Sequence, residues 1–197
     1  MDVKPEPPRP RGRPRNPDSD HLIIAATLRL LAEHGYDRCS IEAVADEAGV
    51  TRATVYRRYP TKADLVTNSV CAMEKLPDGS HMPDTRACLA WMLGEFRDGI
   101  TRADGLSIVS SLYVQRREHP DMLARFRDQV MLPGREKFLA TLKAGVERGQ
   151  VRADADLELV VDQLIGAYLT RTFVGAEFGD DWAERLIDQV WPGLQTA

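Results

Sequence analysis

The chain has 197 residues, 43% of them hydrophobic and 28% charged, which is enough apolar material for one domain or two small ones. Its apolar runs are too short to cross a bilayer, and residues 1–17 lack the apolar core of a signal peptide. We therefore expect a cytoplasmic protein with no membrane partner. Three cysteines without a CxxC pair and four histidines without ligand spacing predict no disulfide, no metal and no cofactor.

The net charge of −4 is unevenly distributed along the chain. Residues 1–65 hold 11 Lys and Arg against 10 Asp and Glu, whereas the remaining 132 residues hold 15 against 20. The basic residues of the first part lie mainly in residues 1–17 and 52–58. Because the local field decides nucleic-acid binding, the acidic total does not exclude a polyanionic partner.

Residues 1–17 are predicted to form a disordered basic arm. They hold six of the chain's 12 prolines and five basic residues, with almost nothing apolar. Within the arm, Pro10-Arg11-Gly12-Arg13-Pro14 resembles an AT-hook core, in which Arg11 and Arg13 would lie in a narrow A·T-rich minor groove. A solvated basic tail is the alternative interpretation.

Residues 40–62 are typical of two short helices, at about 41–47 and 52–58, joined by a tight turn. Gly49 can supply the unusual backbone angle of the turn, apolar residues flank it, and Thr51 can cap the second helix. The second helix then presents arginine, threonine and tyrosine outward, which fits the major groove of DNA.

Three segments, LRLLAEHGYD, SIEAVADEAGV and TRATVYRRYPTKADLV, resemble the TetR family of one-component bacterial transcription regulators between Ile23 and Val66. The resemblance implies an all-α fold of about nine helices. In it, an N-terminal three-helix DNA-binding domain with a helix-turn-helix precedes a helical ligand-binding and dimerisation domain. The chain departs from the family at Ala53, where many members have glycine, and at Arg58-Tyr59, where many have His-Phe. The family's base preference therefore does not transfer directly.

We expect three parts: the arm (1–17), a DNA-binding domain that includes a linking helix 4 (18–76), and a ligand-binding and dimerisation domain (77–197). Asn16-Pro17 is predicted to open helix 1 and Gly35 to end it. Thr61-Lys62-Ala63-Asp64 resembles a capping box for helix 4, which should continue to about Lys75.

The segment PDGSHMP (77–83) has the composition of a loop and is the predicted hinge between the two domains. Everything beyond it is predicted to be helical, with a kink or split at Pro133-Gly134. The further helices are predicted at about 84–103, 106–117, 120–149, 156–176 and 180–190.

The resemblance implies that phosphates would be held by Ser40, Thr51, Tyr56 and Lys62. Base edges would be read by the residues that project furthest from the second helix, Arg52, Ala53, Thr54 and Arg57, and Arg58 could take either role. The alternative is a solvated basic helix with ordinary caps.

The resemblance also implies an effector pocket and a two-fold dimer in the second domain. A small, often apolar ligand would be lined by Trp91, Glu95, Tyr113, Phe126 and Tyr168. A four-helix interface with a second copy would involve Leu164, Ala167, Trp182, Leu186 and Val190. For both sets the alternative is the apolar core of the chain itself, because aromatic and methionine residues at helical spacing are usually core.

We therefore expect a sequence-specific regulator, a repressor that binds a palindromic operator in double-stranded DNA as a homodimer and is released by an unknown small-molecule effector. One alternative is an architectural protein that binds A·T-rich DNA through the arm, which a deletion of residues 1–15 would distinguish. The other is an enzyme that processes a small molecule. The sequence disfavours the enzyme, because it lacks a nucleophile elbow, a phosphate-binding glycine loop and HExxH.

Overall fold

A computed structural model describes residues 17–73, 76–79, 81–102 and 104–196. Over these residues the chain is all-α, and its only extended pairing is an isolated bridge between Val151 and Gln195. The helices are α1 (Pro17–Arg38), α2 (Ile41–Glu47), α3 (Arg52–Arg58), α4 (Lys62–Cys71), α5 (Thr85–Arg102), α6 (Gly105–Val114), α7 (Pro120–Phe126), α8 (Leu132–Glu147), α9 (Leu157–Phe173) and α10 (Trp182–Val190). Residues 1–16 of the predicted arm, with Arg11, Arg13 and the cap Asn16, lie outside the described residues, and Pro17 begins α1.

The α7 and α8 helices are continuous through a π-helical turn, Arg127–Met131, and counted as one they give nine α-helices within the described residues, as the sequence predicts. The irregular turn therefore precedes the predicted kink or split at Pro133-Gly134. Pro133 follows this turn by two residues and lies inside the continuous helix, so the proline does not end it.

Side-chain caps fix the starts of the first short helices. Ser40 and Thr51 accept hydrogen bonds from backbone N–H groups in the first turns of α2 and α3, at 3.1 and 3.3 Å. Thr61 accepts the N–H of Asp64 at 3.1 Å and donates its hydroxyl to the Asp64 carboxylate at 2.8 Å. The predicted bounds of α2 and α3 and the predicted cap of α4 are confirmed.

Two predicted helix ends differ from the structure. Gly35 has a φ of 71°, so it interrupts α1, but helical backbone resumes and continues to Arg38. α4 ends at Cys71, and the predicted end at Lys75 lies outside the described residues.

The apolar core forms two clusters, and they do not divide at the predicted domain boundary after residue 76. The first cluster joins α1 to α4 with buried residues of α6 and α7: Ile108, Leu112, Met122 and Phe126. The second cluster is built from α5, α8, α9 and α10. The helices that carry the helix-turn-helix therefore share their core with helices that follow the predicted hinge.

The described residues of the predicted hinge form a loop, and several of its carbonyls accept hydrogen bonds from neighbouring elements. The Cys88 thiol donates to the Gly79 carbonyl at 3.0 Å, and a Cβ at Gly79 would lie only 2.5 Å from the Cys88 sulfur. Arg148 and Gln150 donate to the carbonyls of Met82 and Pro83 at 3.0 and 3.1 Å. The connection between α4 and α5 is therefore held against α5 and the end of α8.

The shared core predicts that Phe126→Ala destabilises the helix-turn-helix, although Phe126 lies far beyond it in sequence. Phe126 is buried in the first cluster, and truncating a buried phenylalanine costs about 3–5 kcal/mol. Chemical denaturation at fixed protein concentration measures the loss. Leu22→Ala, at a half-exposed residue of α1, is the matched control and should cost far less. Equal losses would contradict the shared core.

Candidate nucleic-acid interface

The turn between α2 and α3 has the geometry of a helix-turn-helix. Gly49 has a φ of 64°, in the left-handed region that favours glycine. The Val50 N–H donates to the Ala45 carbonyl at 3.0 Å, which closes the turn. Val44, Ala45 and Val55 are fully buried, so α3 packs on α2 through small and branched side chains and turns its other face outward.

The outward face of α3 carries most of the predicted DNA contacts. Arg52, Ala53, Tyr56 and Arg57 are exposed, as is the cap Thr51. Thr54 is half-buried, and its hydroxyl lies 2.9 Å from that of Thr51. The structure thus brings these residues together on one surface with a hydrogen-bonding and cationic character suited to DNA.

Arg58, for which the sequence predicts a contact with phosphate or bases, is directed toward α1 in the structure. Its side chain is only 11% exposed, and its guanidinium forms an ion pair with Asp20 of α1. It also donates to the Thr54 carbonyl at 3.2 Å, one turn back along α3. Because α3 rotates by about 100° per residue, neighbouring arginines point apart, and this one points toward α1.

Asp20 is the residue that sequence reasoning missed at this interface. A cleft of about 280 Å³ is lined by Asp20, Arg57, Arg58 and Tyr59. Burial raises the pKa of the Tyr59 hydroxyl, the Asp20 carboxylate adds to the rise, and Arg58 opposes it. No local pattern identifies Asp20, because its partner lies on another helix.

Lys62, at the start of α4, is anchored to the end of α1. Its ammonium donates to the Asp37 carbonyl at 3.1 Å and lies 4.1 Å from the centroid of the Tyr36 ring. An ammonium has three N–H donors, so one bond to a carbonyl leaves capacity for a phosphate. Burial raises the pKa of the nearby Cys39 thiol to about 11, and Lys62 opposes that rise.

The five predicted ligand residues are not brought to one place. Phe126 is buried in the first cluster and Tyr168 in the second. Trp91 on α5 and Tyr113 on α6 are exposed, and Glu95 is half-buried on α5. The prediction of one pocket lined by all five therefore needs correction, because the aromatic residues belong to two cores and to the surface.

The predicted dimer residues also face mainly inward. Leu164 and Trp182 are buried in the second cluster, as in the alternative interpretation that these residues belong to the core of the chain. Ala167, Leu186 and Val190 are half-buried against the same cluster. The large apolar side chains that α9 leaves exposed are Leu159, Leu169 and Phe173.

Two other site classes receive no support from the described residues. No group of three or more His, Cys, Asp or Glu within them could hold a metal ion. None of the helices described here is both long enough and apolar enough to cross a membrane.

Comparison with known proteins matches both halves of the chain to one family. The family model described as "Bacterial regulatory proteins, tetR family" matches residues 23–68. A second, described as "Tetracyclin repressor-like, C-terminal domain", matches residues 82–190, which is more than half of the chain.

Similar proteins and structures agree with these models. The chain is 25% identical over 197 residues to the HTH-type transcriptional regulator YdeS of Bacillus subtilis, covering 94% of each chain. It is 28% identical over 172 residues to the DNA-binding transcriptional repressor TetR of Mycobacteroides abscessus, covering 85% of this chain and 89% of that one. A TetR-family regulator from Mesorhizobium loti superposes with a TM-score of 0.76 at 16% identity, over 93% of this chain and all of that one. The chain belongs to the TetR family of helix-turn-helix, DNA-binding transcriptional regulators.

Proposed function

We propose that this regulator represses transcription in the cytoplasm by binding a palindromic operator as a homodimer, from which a small-molecule effector releases it. The proposal rests on the exposed face of α3, which directly precedes α4 in the chain. Arg52, Tyr56 and Arg57 are exposed on that face, and α4 starts with Lys62. A surface of this kind offers base-reading and phosphate-binding groups at once.

The DNA roles divide by chemistry and position. The guanidinium groups of Arg52 and Arg57 are suited to guanine, and the methyl groups of Ala53 and Thr54 to thymine. Tyr56 and Lys62 would donate to phosphates, as would the hydroxyls of Ser40 and Thr51 while they cap their helices. The arm residues Arg11 and Arg13 would reach the adjacent minor groove.

The homodimer would form through the exposed face of α9. Leu159, Gly166 and Phe173 are spaced seven residues apart and so share one face of the helix, with Leu169 at its border. Phe173 is 71% exposed, and no heavy atom lies within 4 Å of a Cβ built on Gly166. A single α3 reads too few base pairs for selectivity, whereas a two-fold dimer reads two half-sites about 34–36 Å apart.

The effector site would lie at the second cluster, between α5, α8 and α9. Tyr168 is central there, with ring centroids of Phe96 and Phe178 each at 5.2 Å. Trp91 and Glu95 lie on α5, which contributes to this cluster, but neither residue belongs to it, and Tyr113 and Phe126 lie on other helices. An apolar or aromatic molecule fits such a lining, and we infer that it is bound rather than chemically converted.

Release requires the effector to bind the DNA-incompetent conformation more tightly than the DNA-bound one. A hundredfold preference corresponds to about 2.7 kcal/mol. Because α6 and α7 share the first core with α1 and α4, a displacement of these helices would move the DNA-binding helices too.

Arg52→Ala is expected to lower operator affinity by about 1–3 kcal/mol and to relax preference at one base pair of each half-site. Lys62→Ala should instead weaken binding to all duplexes alike and reduce the salt slope by about one unit per half-site. Fluorescence anisotropy on a selected operator and a scrambled duplex, at several salt concentrations, measures both. Arg185→Ala, at an exposed residue of α10, controls for lost charge. Equal losses for Arg52→Ala on both duplexes would refute its base-reading role.

The neighbouring arginines of α3 offer a matched pair of variants. Arg57→Ala should reduce the salt slope by about one unit per half-site, because Arg57 is exposed. Arg58→Ala should leave the slope unchanged, because Asp20 already neutralises its guanidinium. The two variants remove the same charge, so a slope change for Arg58→Ala as large as for Arg57→Ala would mean that Arg58 contacts phosphate.

Phe173→Asp is expected to convert the dimer into a monomer, because it places a charge at the C-terminal end of the apolar face of α9, on its most exposed side chain. Sedimentation equilibrium measures the mass directly, and operator affinity should fall with it. Val114→Asp is the control, since Val114 on α6 is 72% exposed, a similar fraction. A dimer that survives Phe173→Asp would contradict the proposed interface.

A further inference from the structure

The platform that holds Lys62 is built at the C-terminal end of α1. Lys62 donates to the main-chain carbonyl of Asp37 and lies over the ring of Tyr36. These two adjacent residues fix both the direction and the height of the ammonium group. Both lie before the helix-turn-helix in sequence, and neither is among the predicted DNA contacts.

The corner between α6 and α7 supports this platform from the other side. Gln115 is only 8% exposed, and its side-chain amide donates to the Asp37 carboxylate at 3.0 Å. The Gln115 carbonyl accepts the N–H of His119 at 2.8 Å, which closes the corner. The His119 ring then packs against Tyr36, with centroids 5.4 Å apart.

We propose that Gln115 and His119 are positioning residues for the DNA contact of Lys62. They act through Asp37 and Tyr36, and they do not touch DNA themselves. The inference rests on the proposed phosphate contact of Lys62. It goes beyond that contact by assigning control of the lysine to a corner of the C-terminal half of the chain.

The physical basis is the cost of ordering a lysine. A free lysine side chain has about 2 kcal/mol of rotamer entropy to lose when it binds a phosphate. A carbonyl and an aromatic ring that hold the ammonium in place lower that cost before DNA arrives. Asp37 thus binds Lys62 through its main-chain carbonyl and Gln115 through its side-chain carboxylate. Once released, that carboxylate would be free to compete with phosphate for the ammonium.

This arrangement gives the C-terminal half of the chain a direct connection to a DNA contact. α6 packs on α1, and α7 packs on α4. A shift of the α6–α7 corner would therefore displace Asp37 and Tyr36, and Lys62 would lose its platform even if α4 did not move. DNA affinity would then fall without any change in the spacing of the two α3 helices.

A double-mutant cycle on the full-length protein tests the proposal. Gln115→Leu removes the amide but keeps similar bulk, and it should lower affinity for every duplex about two- to tenfold, the range for one hydrogen bond. Lys62→Ala should lower affinity more. In the Lys62→Ala background, Gln115→Leu should add nothing further. The same factor in both backgrounds would mean that Gln115 only stabilises the fold, and it would overturn the proposal.

A second pair of variants, in which the donor and the acceptor exchange places, keeps the test valid if Gln115→Leu misfolds. Gln115→Glu places a second carboxylate against Asp37 and should weaken DNA binding and flatten the salt dependence. Adding Asp37→Asn restores a donor and an acceptor with their roles exchanged, and it should recover affinity. Circular dichroism and the mass of the dimer confirm folding of each variant. Folded variants without recovery would contradict the positioning role.

The failure of the proposed function is distinguishable from the failure of this inference. If the unmodified protein binds operator and scrambled duplex alike, the proposed function fails. If it prefers the operator but Lys62→Ala leaves affinity and salt slope unchanged, Lys62 does not bind phosphate and the positioning role fails. If Lys62→Ala weakens binding while Gln115→Leu acts independently of it, only the positioning role fails.

Discussion

Burial of one apolar surface by the N-terminal helices together with α6 and α7, from the middle of the chain, is the constraint on which the rest of the structure depends. α1 and α4 pack in one core with the two helices of the helix-turn-helix. Four side chains from α6 and α7 are buried in the same core. Full burial of such side chains contributes about 1.5–3 kcal/mol each, which together is comparable to the whole stability of a typical domain. The orientation of α3 therefore depends on helices that belong to the regulatory half.

This shared core explains why the DNA-facing groups are not independent of the rest of the molecule. Lys62 is held by the end of α1, and the end of α1 is held by the α6–α7 corner. The surface that meets DNA is thus set by packing on its inner side. Under the proposed effector release, a small displacement in this close-packed interior would suffice, because such interiors transmit strain.

The sequence predicts best what local chemistry decides. The bounds of α2 and α3 follow from Ser40, Gly49 and Thr51, whose side-chain or backbone preferences act within a few residues. The exposed face of α3 follows from helical periodicity once the buried Val55 is identified. The family resemblance adds the overall order of helices, and the family models agree with it.

Contacts between distant helices were not predictable in the same way. Arg58 looked like a DNA contact because its charge is visible in the sequence, whereas the neutralising Asp20 lies on α1. The apolar residues of α9 and α10 were numerous enough for a core and an interface, and periodicity does not say which face each serves. Phe126 was assigned to a pocket for its aromatic ring, although it packs beneath the DNA-binding helices.

The π-helical turn at Arg127–Met131 separates two parts of one helix that pack in different clusters. A π-helical turn inserts an extra residue into the helical repeat. Because each residue turns the helix by about 100°, the side chains after the turn point in a different direction from the one that the preceding α-helix would give them. Phe126 before it faces the first cluster, and Phe138 after it faces the second. The seam between the two halves of the protein thus runs through the interior of a helix, so a twist applied to α8 reaches α7 with no intervening loop to dissipate it.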